Sequence, residues 1–246
     1  MRDIEKYSES YMVSDFEEYQ VAYRRKKVLE IIHKYAPRKI LDIGCGMDPL
    51  FQYIDGMYDY YCVVEPSSIF CNYAAQLAEG RNVTCLQGFF YPSEELADKR
   101  FDFIICSSLL HELEQPEEML KGIFEVSDID TVVHINVPNA KSIHRLLAME
   151  MGLIPNEYEL SDRNILYQQH SVYDLDMLKA IVEDNGFDVI EDGSYFVKPF
   201  THHQMHQMLD SSIVNKDVLD GLYNIVKYIP EYGSEIFVNC RLRQKK

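Results

Sequence analysis

The stretch Ile40-Leu41-Asp42-Ile43-Gly44-Cys45-Gly46-Met47-Asp48-Pro49 constrains this chain more than any other, because an apolar strand there runs into a glycine turn and then a helix start. Glycine permits the tight turn and lets a ligand approach the backbone, and the amides of a helix start point at whatever sits there. The next apolar run, Tyr60 to Val64, ends in Glu65, 19 residues beyond Gly46. That is close to the roughly 20-residue spacing at which an acid accepts hydrogen bonds from ribose hydroxyls. A bare turn and a helix-capping Glu65 explain the features singly; a nucleoside site explains both together.

Two nucleosides use such geometry. A nicotinamide fingerprint needs a third glycine where this chain has Pro49, and that glycine packs helix closely on strand. Asp42, two residues before Gly44, stands where a dinucleotide site keeps an apolar residue. A carboxylate there suits a ligand that carries a cationic amino group, as S-adenosylmethionine does. An NAD-dependent oxidoreductase is therefore the weaker enzymatic reading.

From Lys39 onward, short apolar runs alternate with amphipathic stretches, which predicts an α/β fold with a mainly parallel sheet. Strands are expected near 39–43, 60–64, 83–86, 101–106, 131–137, 187–191 and 235–241. Pro49 and Pro116 suit first helical positions, and Asp174 suits the cap of a helix that stops at Gly186. Residues 1–36 read as a helical preface, with a solvated face at the cation run Arg24 to Lys27. Residues 193–233 are too long for a plain loop and read as an insertion of two helices, near 202–209 and 217–228.

In this order the motifs resemble the class I S-adenosylmethionine-dependent methyltransferases over roughly residues 37–192. Asp42, Gly44 and Gly46 match the glycine-rich first motif, Glu65 the ribose-binding acid, and Phe101 through Leu113 the fourth-strand segment. The resemblance implies a Rossmann-like seven-stranded sheet with helices on both faces, its last strand antiparallel beside the fifth. It further implies one domain over 1–246: a lid at 1–36, a cofactor-binding core at 37–192, the insertion at 193–233, and a last strand with a basic tail at 234–246. S-adenosylmethionine is the implied cofactor. Cys45, Pro66, Gly88, Phe89 and Ser107 complete its candidate contacts, although Asp48 replaces the family's third glycine and Gln87-Gly88-Phe89-Phe90 lacks the acid many members use for adenine. Adenine then rests on backbone groups or the Phe89 ring; Phe89 as simple core is the alternative.

Position within the family implies roles for several polar residues. His111 borders the methyl group and, with His170, is a candidate base for an acceptor hydroxyl; surface or helix-leading histidines are the plainer readings. Tyr11, Asn139, His144, Arg145 and Lys198 are candidate acceptor contacts, Arg145 and Lys198 suiting a carboxylate or phosphate. Against this, Asn139 suits a helix cap, Arg145 a surface ion pair and Lys198 a solvated position. The run His111-Glu112-Leu113-Glu114-Gln115 misses the HExxH zinc pattern, and His202, His203 and His206 lack acidic or thiol companions, so they read as an exposed helix with no metal.

The composition narrows the setting. Twenty-four basic against 40 acidic residues give a net charge of −16, which opposes nucleic acid or anionic lipid as partner. No run approaches the roughly 18 apolar residues of a membrane span, and six cysteines without a CxxC pair fit reduced thiols of a cytoplasmic protein. The expectation is methyl transfer to an oxygen or nitrogen of a polar small molecule. The Tyr-rich preface, the insertion and the stretch Val137 to Arg145 resemble bacterial enzymes of surface-polysaccharide and sugar pathways. A non-catalytic adenosylmethionine-binding partner protein is the alternative from another class, and an apolar stripe at Val218, Leu219, Leu222 and Val226 leaves a homodimer open.

Overall fold

The computed structural model of the protein describes Ile4 and residues 16–244, so Tyr11 and most of the preface's opening lie outside the described residues. Seven strands form one sheet: β1 (Lys39–Ile43), β2 (Tyr60–Glu65), β3 (Val83–Gln87), β4 (Phe101–Ser107), β5 (Ser127–Pro138), β6 (Phe187–Tyr195) and β7 (Glu235–Leu242). Their order is β3-β2-β1-β4-β5-β7-β6. The first five are parallel, and β7 pairs antiparallel with both β5 and β6. All seven expected strands are present, the sixth running four residues beyond its expected end at Glu191.

The helices are α1 (Glu17–Tyr35), α2 (Ser68–Leu77), α3 (Glu94–Asp98), α4 (Pro116–Val126), α5 (Ile143–Glu150), α6 (Asp162–Leu166), α7 (Leu175–Asp184), α8 (His202–Asp210) and α9 (Lys216–Asn224). Pro116 occupies the first turn of α4, and the Asp174 carboxylate caps α7 by accepting from the Met177 amide. Pro49 departs from expectation. It precedes a single 3-10 turn, Leu50–Tyr53, so the glycine loop leads to no α-helix. The crossover to β2 instead packs Phe51 and Ile54 under α1, whose Val28, Ile31 and Ile32 cover that face of the sheet.

The preface and the insertion share this face. Tyr23 of α1 stacks on Phe196 at 4.4 Å between ring centroids, and Tyr223 of α9 joins at 5.5 Å. Leu219 and Tyr223 point inward and Leu222 packs on the same core, whereas Val218 of the stripe is 41% exposed. The opposite face is covered by α4 and α7 through Leu120, Ile123, Leu178 and Val182.

The cation run of α1 is not a solvated face. Arg24 is 14% exposed and pairs with Glu235 at 2.7 Å. Arg25 pairs with Asp48 and lies over the Tyr53 ring at 4.4 Å. Lys26 lies over Tyr223 at 4.1 Å, and Lys27 pairs with Glu30 at 2.9 Å. These contacts fix α1 to β7, to the glycine loop and to α9.

A polar chain runs through the sheet interior. Asn136 of β5 donates to Ser107 Oγ at 2.9 Å and to His134 Nε2 at 2.9 Å, and the opposite His134 ring nitrogen donates to Asn239 Oδ1 at 2.8 Å. Asn239 in turn donates to Glu191 at 2.9 Å. Burial pushes the His134 pKa down to about 4, which keeps the ring neutral as this pattern requires.

Candidate functional site

The carboxyl ends of β1, β2, β4 and β5 open onto a cavity of about 1540 Å³. Ligands of doubly wound sheets collect at such an edge. The volume exceeds the roughly 300–1,000 Å³ of a single small-molecule pocket, so two molecules fit side by side.

One end is the glycine loop. Gly44 and Gly46 adopt φ of +78° and +58°, the left-handed region that disfavours a side chain. Nothing lies within 4 Å of where a Cβ on Gly46 would stand, so a ligand has access to the backbone there. Glu65 accepts from the Gly46 amide at 3.0 Å and the Ser67 amide at 2.8 Å, which fixes its carboxylate at the mouth of the loop.

Asp42 is buried beneath the loop. Its carboxylate accepts from the Tyr61 hydroxyl at 2.7 Å, and among the described residues no cation lies within ion-pair distance. Burial, with Glu65 adding repulsion, raises its pKa to about 7 against the help of the Tyr61 bond.

Cys45, Pro66, Phe89 and Ser107 also line the cavity. The Phe89 ring is 46% exposed beside it and is not core. Gly88 is not on the wall; its amide donates to the Glu65 carbonyl at 3.0 Å and joins β3 to β2.

His111 stands in a 3-10 turn after β4, with Nε2 at 4.0 Å from Glu112 Oε1. Its carbonyl accepts from the His170 amide at 2.9 Å and the Ser171 amide at 3.2 Å, so the two candidate bases are held side by side. His111 is 2% exposed, whereas His170 is open to solvent.

Farther along the wall the expected acceptor contacts divide. His144 and Lys198 face the cavity. Asn139 reaches it too, but its amide is committed: Nδ2 donates to the Glu231 and Gly233 carbonyls at 2.9 and 2.8 Å, and Oδ1 accepts from the Lys141 amide at 2.9 Å. It ties the end of β5 to the approach of β7. Arg145 also lines the cavity and, in place of a surface ion pair, donates from Nε and Nη2 to the Glu157 and Glu159 carbonyls at 3.0 and 2.5 Å, which holds the loop beyond α5.

Several wall residues escaped the sequence reading. The segment after α5 contributes Ser161, Arg163, Asn164, Tyr167 and Gln169 to the wall. Its capping box, with the Ser161 side chain accepting from the Asn164 amide, is a readable signal for α6. His202, read as exposed, is 16% exposed and lies between Lys198 at 2.7 Å and Glu17 at 3.5 Å. Glu17, in the first turn of α1, also pairs with Arg163 at 3.0 Å and lies 4.0 Å from Arg24. Burial opposes its charge, but His202, Arg24 and Arg163 together hold its pKa down at about 2. Among the described residues no cluster could hold a metal ion, and no helix is long and apolar enough to cross a membrane.

Solved structures share this architecture. Phosphoethanolamine N-methyltransferase 2 of Haemonchus contortus, in complex with S-adenosyl-L-methionine, superposes with a TM-score of 0.59 at 14% identity over 89% of this chain and 53% of its own. The N-methyltransferase NodS of Bradyrhizobium japonicum, in complex with S-adenosyl-L-homocysteine, gives 0.54 at 11% identity over 94% and 90%. The [4+2]-cyclase SpnF gives 0.53 at 14% identity over 85% and 75%, so the fold alone does not fix the reaction. No curated protein matches at the sequence level. The methyltransferase domain, however, matches residues 18–192, which span nearly all of α1, the glycine loop, Glu65, His111, His144, His170 and most of β6. By that match, the chain belongs to the methyltransferase domain family.

Proposed function

We propose that the protein transfers a methyl group from S-adenosylmethionine to an oxygen or nitrogen of a polar small molecule, a sugar or phosphorylated metabolite among the candidates. The observation that carries this reading is Asp42, a buried carboxylate without a cation of its own, at the foot of an open glycine loop and beside an acid suited to ribose. Two of the similar proteins hold S-adenosylmethionine or its demethylated product. The sulfonium of that cofactor supplies an electrophilic methyl group.

The chain's own residues supply position and proton handling. Asp42 neutralises the ammonium of the cofactor, the Gly44–Gly46 backbone admits it, Glu65 accepts from the ribose hydroxyls, and Phe89 offers a ring face to adenine. Glu17, Arg163 and His202 cover the acceptor end, keep water away and orient the acceptor. When the acceptor is a hydroxyl, the His111 imidazole takes its proton; a neutral amine needs no base.

Incubation with methyl-labelled S-adenosylmethionine and fractionated bacterial metabolites, followed by mass spectrometry, tests the reading. A labelled product names the acceptor. Binding without transfer to any fraction would favour a non-catalytic adenosylmethionine-binding partner protein.

A further inference from the structure

We infer that the Ser107 hydroxyl donates to the carboxylate of the cofactor's amino-acid end, and that a buried hydrogen-bond chain from Glu191 through Asn239, His134 and Asn136 holds it in that sense. This rests on the methyl-transfer reading and deepens it at the cofactor.

The chain crosses the neighbouring strands β4, β5, β7 and β6 at directly paired positions. Ser107 of β4 stands opposite Asn136 of β5, His134 of β5 opposite Asn239 of β7, and Asn239 opposite Glu191 of β6. Asn136, His134 and Asn239 are fully buried, so each polar atom there must find a partner. Of the five residues only the two ends leave the interior. Glu191 lies under Lys34 at 2.8 Å and Tyr35 at 3.0 Å, and Ser107 is half-buried on the cavity wall.

Both ends set the same direction. Burial opposes the charge of Glu191, but hydrogen bonds from Lys34, Asn239 and Tyr35 hold its carboxyl below the ordinary pKa, so it only accepts. At the cavity end the Ser108 amide, which can only donate, reaches Asn136 Oδ1 at 3.0 Å. Between these fixed points neither amide can turn. Asn239 presents Nδ2 to Glu191 and Oδ1 to His134, His134 carries its proton on Nδ1, and its bare Nε2 accepts from Asn136 Nδ2. The second hydrogen of that amide goes to Ser107 Oγ at 2.9 Å.

Ser107 therefore accepts on its inner side. Its own hydrogen has one contact among the described residues, Asn136 Oδ1 at 3.2 Å, a long bond to an oxygen that already receives the Ser108 amide. A ligand oxygen in the cavity is the better acceptor, an anionic one most of all. Asp42 identifies which oxygen. It faces Ile105 across the β1–β4 pair, so Ser107 lies one strand over and two residues nearer the cavity, roughly 8 Å away by strand spacing and rise. Strand alternation puts both side chains on the sheet face of Ile40, Phe103 and Ile105. The cofactor's ammonium and carboxylate share one carbon. With Asp42 on the ammonium, the carboxylate beside it is repelled by Asp42 and Glu65 until a donor faces it, and Ser107 supplies that donor.

Calorimetry on the whole chain compares S-adenosylhomocysteine with its decarboxylated form, which lacks only the carboxylate, while imidazole NMR reads the protonation of His134. The wild type should show a neutral His134 with its proton on Nδ1 at pH 7. Ser107→Ala should bind S-adenosylhomocysteine at least tenfold more weakly and the decarboxylated form within twofold of the wild type, and Ser107→Thr, which keeps the hydroxyl, should recover most of the loss. Asn136→Leu leaves the hydroxyl in place without its aim and should lose at least threefold on S-adenosylhomocysteine alone. Undiminished S-adenosylhomocysteine binding in Ser107→Ala, or an equal loss of both ligands, overturns the carboxylate contact. A His134 proton on Nε2, or an Asn136→Leu variant that binds S-adenosylhomocysteine as the wild type does, overturns the chain. Should Asn136→Leu not fold, the His134 tautomer and the two Ser107 variants decide. Wild-type affinity for S-adenosylhomocysteine is measured first; its absence sinks the methyl-transfer reading, a separate failure.

Discussion

Glu17 Oε2 lies 3.0 Å from Arg163 Nη2, which joins the first turn of α1 to α6 across 146 residues of sequence. With His202 at 3.5 Å, this carboxylate links three segments on the wall of the cavity. Glu17→Gln should therefore reduce kcat/KM for the acceptor by tenfold or more and leave S-adenosylmethionine affinity within about threefold. Equal loss of both affinities would mean that Glu17 merely supports the fold.

Glu17 also sets an acid-sensitive part of the stability. Its pKa falls from 4.5 to about 2 on folding. Its contribution is thus complete above about pH 4.5 and fades as the pH falls toward 2. Denaturant titrations should show the wild type more stable than Glu17→Gln at pH 7 by about 1–3 kcal/mol, with the gap closing over that acid window. A gap that stays constant between pH 6 and pH 3 would contradict the charged-partner account.

Asp42 gives the opposite sign. Its pKa is raised from 3.8 to about 7, so the ligand-free fold loses stability as pH climbs between those values. Asp42→Asn should raise the melting temperature of the ligand-free protein at pH 8 but not at pH 4, and should weaken S-adenosylmethionine binding at least tenfold. Wild-type binding near pH 7 should release about half a proton, visible as a binding enthalpy that depends on the buffer. A buffer-independent enthalpy would show Asp42 already ionised.

Glu65→Ala should cost about 1.5–3 kcal/mol of cofactor binding, the range for hydrogen bonds to a charged group. The same change strips the Gly46 and Ser67 amides of their acceptor, so thermal stability should fall too. Calorimetry showing unaltered affinity in a folded variant would remove Glu65 from the site.

For a hydroxyl acceptor, His111→Ala should lower turnover by roughly 10²–10⁴-fold with cofactor affinity little changed. His170→Ala should do less, because His170 meets His111 through its backbone amide, which alanine keeps. Single-turnover kinetics on the two variants would rank them, and full activity in both would indicate an amine nucleophile.

What the sequence disclosed follows from range. β1, the glycine turn and Glu65 are local patterns within 27 residues, and β-strand periodicity and helix caps such as Asp174 are local too. The missed features are meetings of distant residues. Arg24 finds Glu235 across 211 positions, so a helix surface that reads as solvated becomes an interior contact. Asn139 and Arg145 are polar residues beside a cavity that donate to backbone carbonyls of distant loops, and no spacing rule exposes such a commitment. His202 looked exposed because its partners, Glu17 and Lys198, come from the preface and from the end of β6.

The placement of β7 between β5 and β6 bears on how the molecule is made. On the ribosome, β1 to β5 emerge early and can associate as a parallel layer with the glycine loop already shaped. Strand β6 then waits without a neighbour, and β5 keeps an open edge carrying His134 and Asn136, polar side chains that discourage pairing with the wrong chain. Only when residues 235–242 arrive does the sheet close, and Glu235 comes with them to anchor Arg24 and Gln20 of the first helix. The glycine loop and Glu65 thus stand complete in the nascent chain well before the anchorage of the first helix, and a chain cut short of β7 would keep the former without the latter.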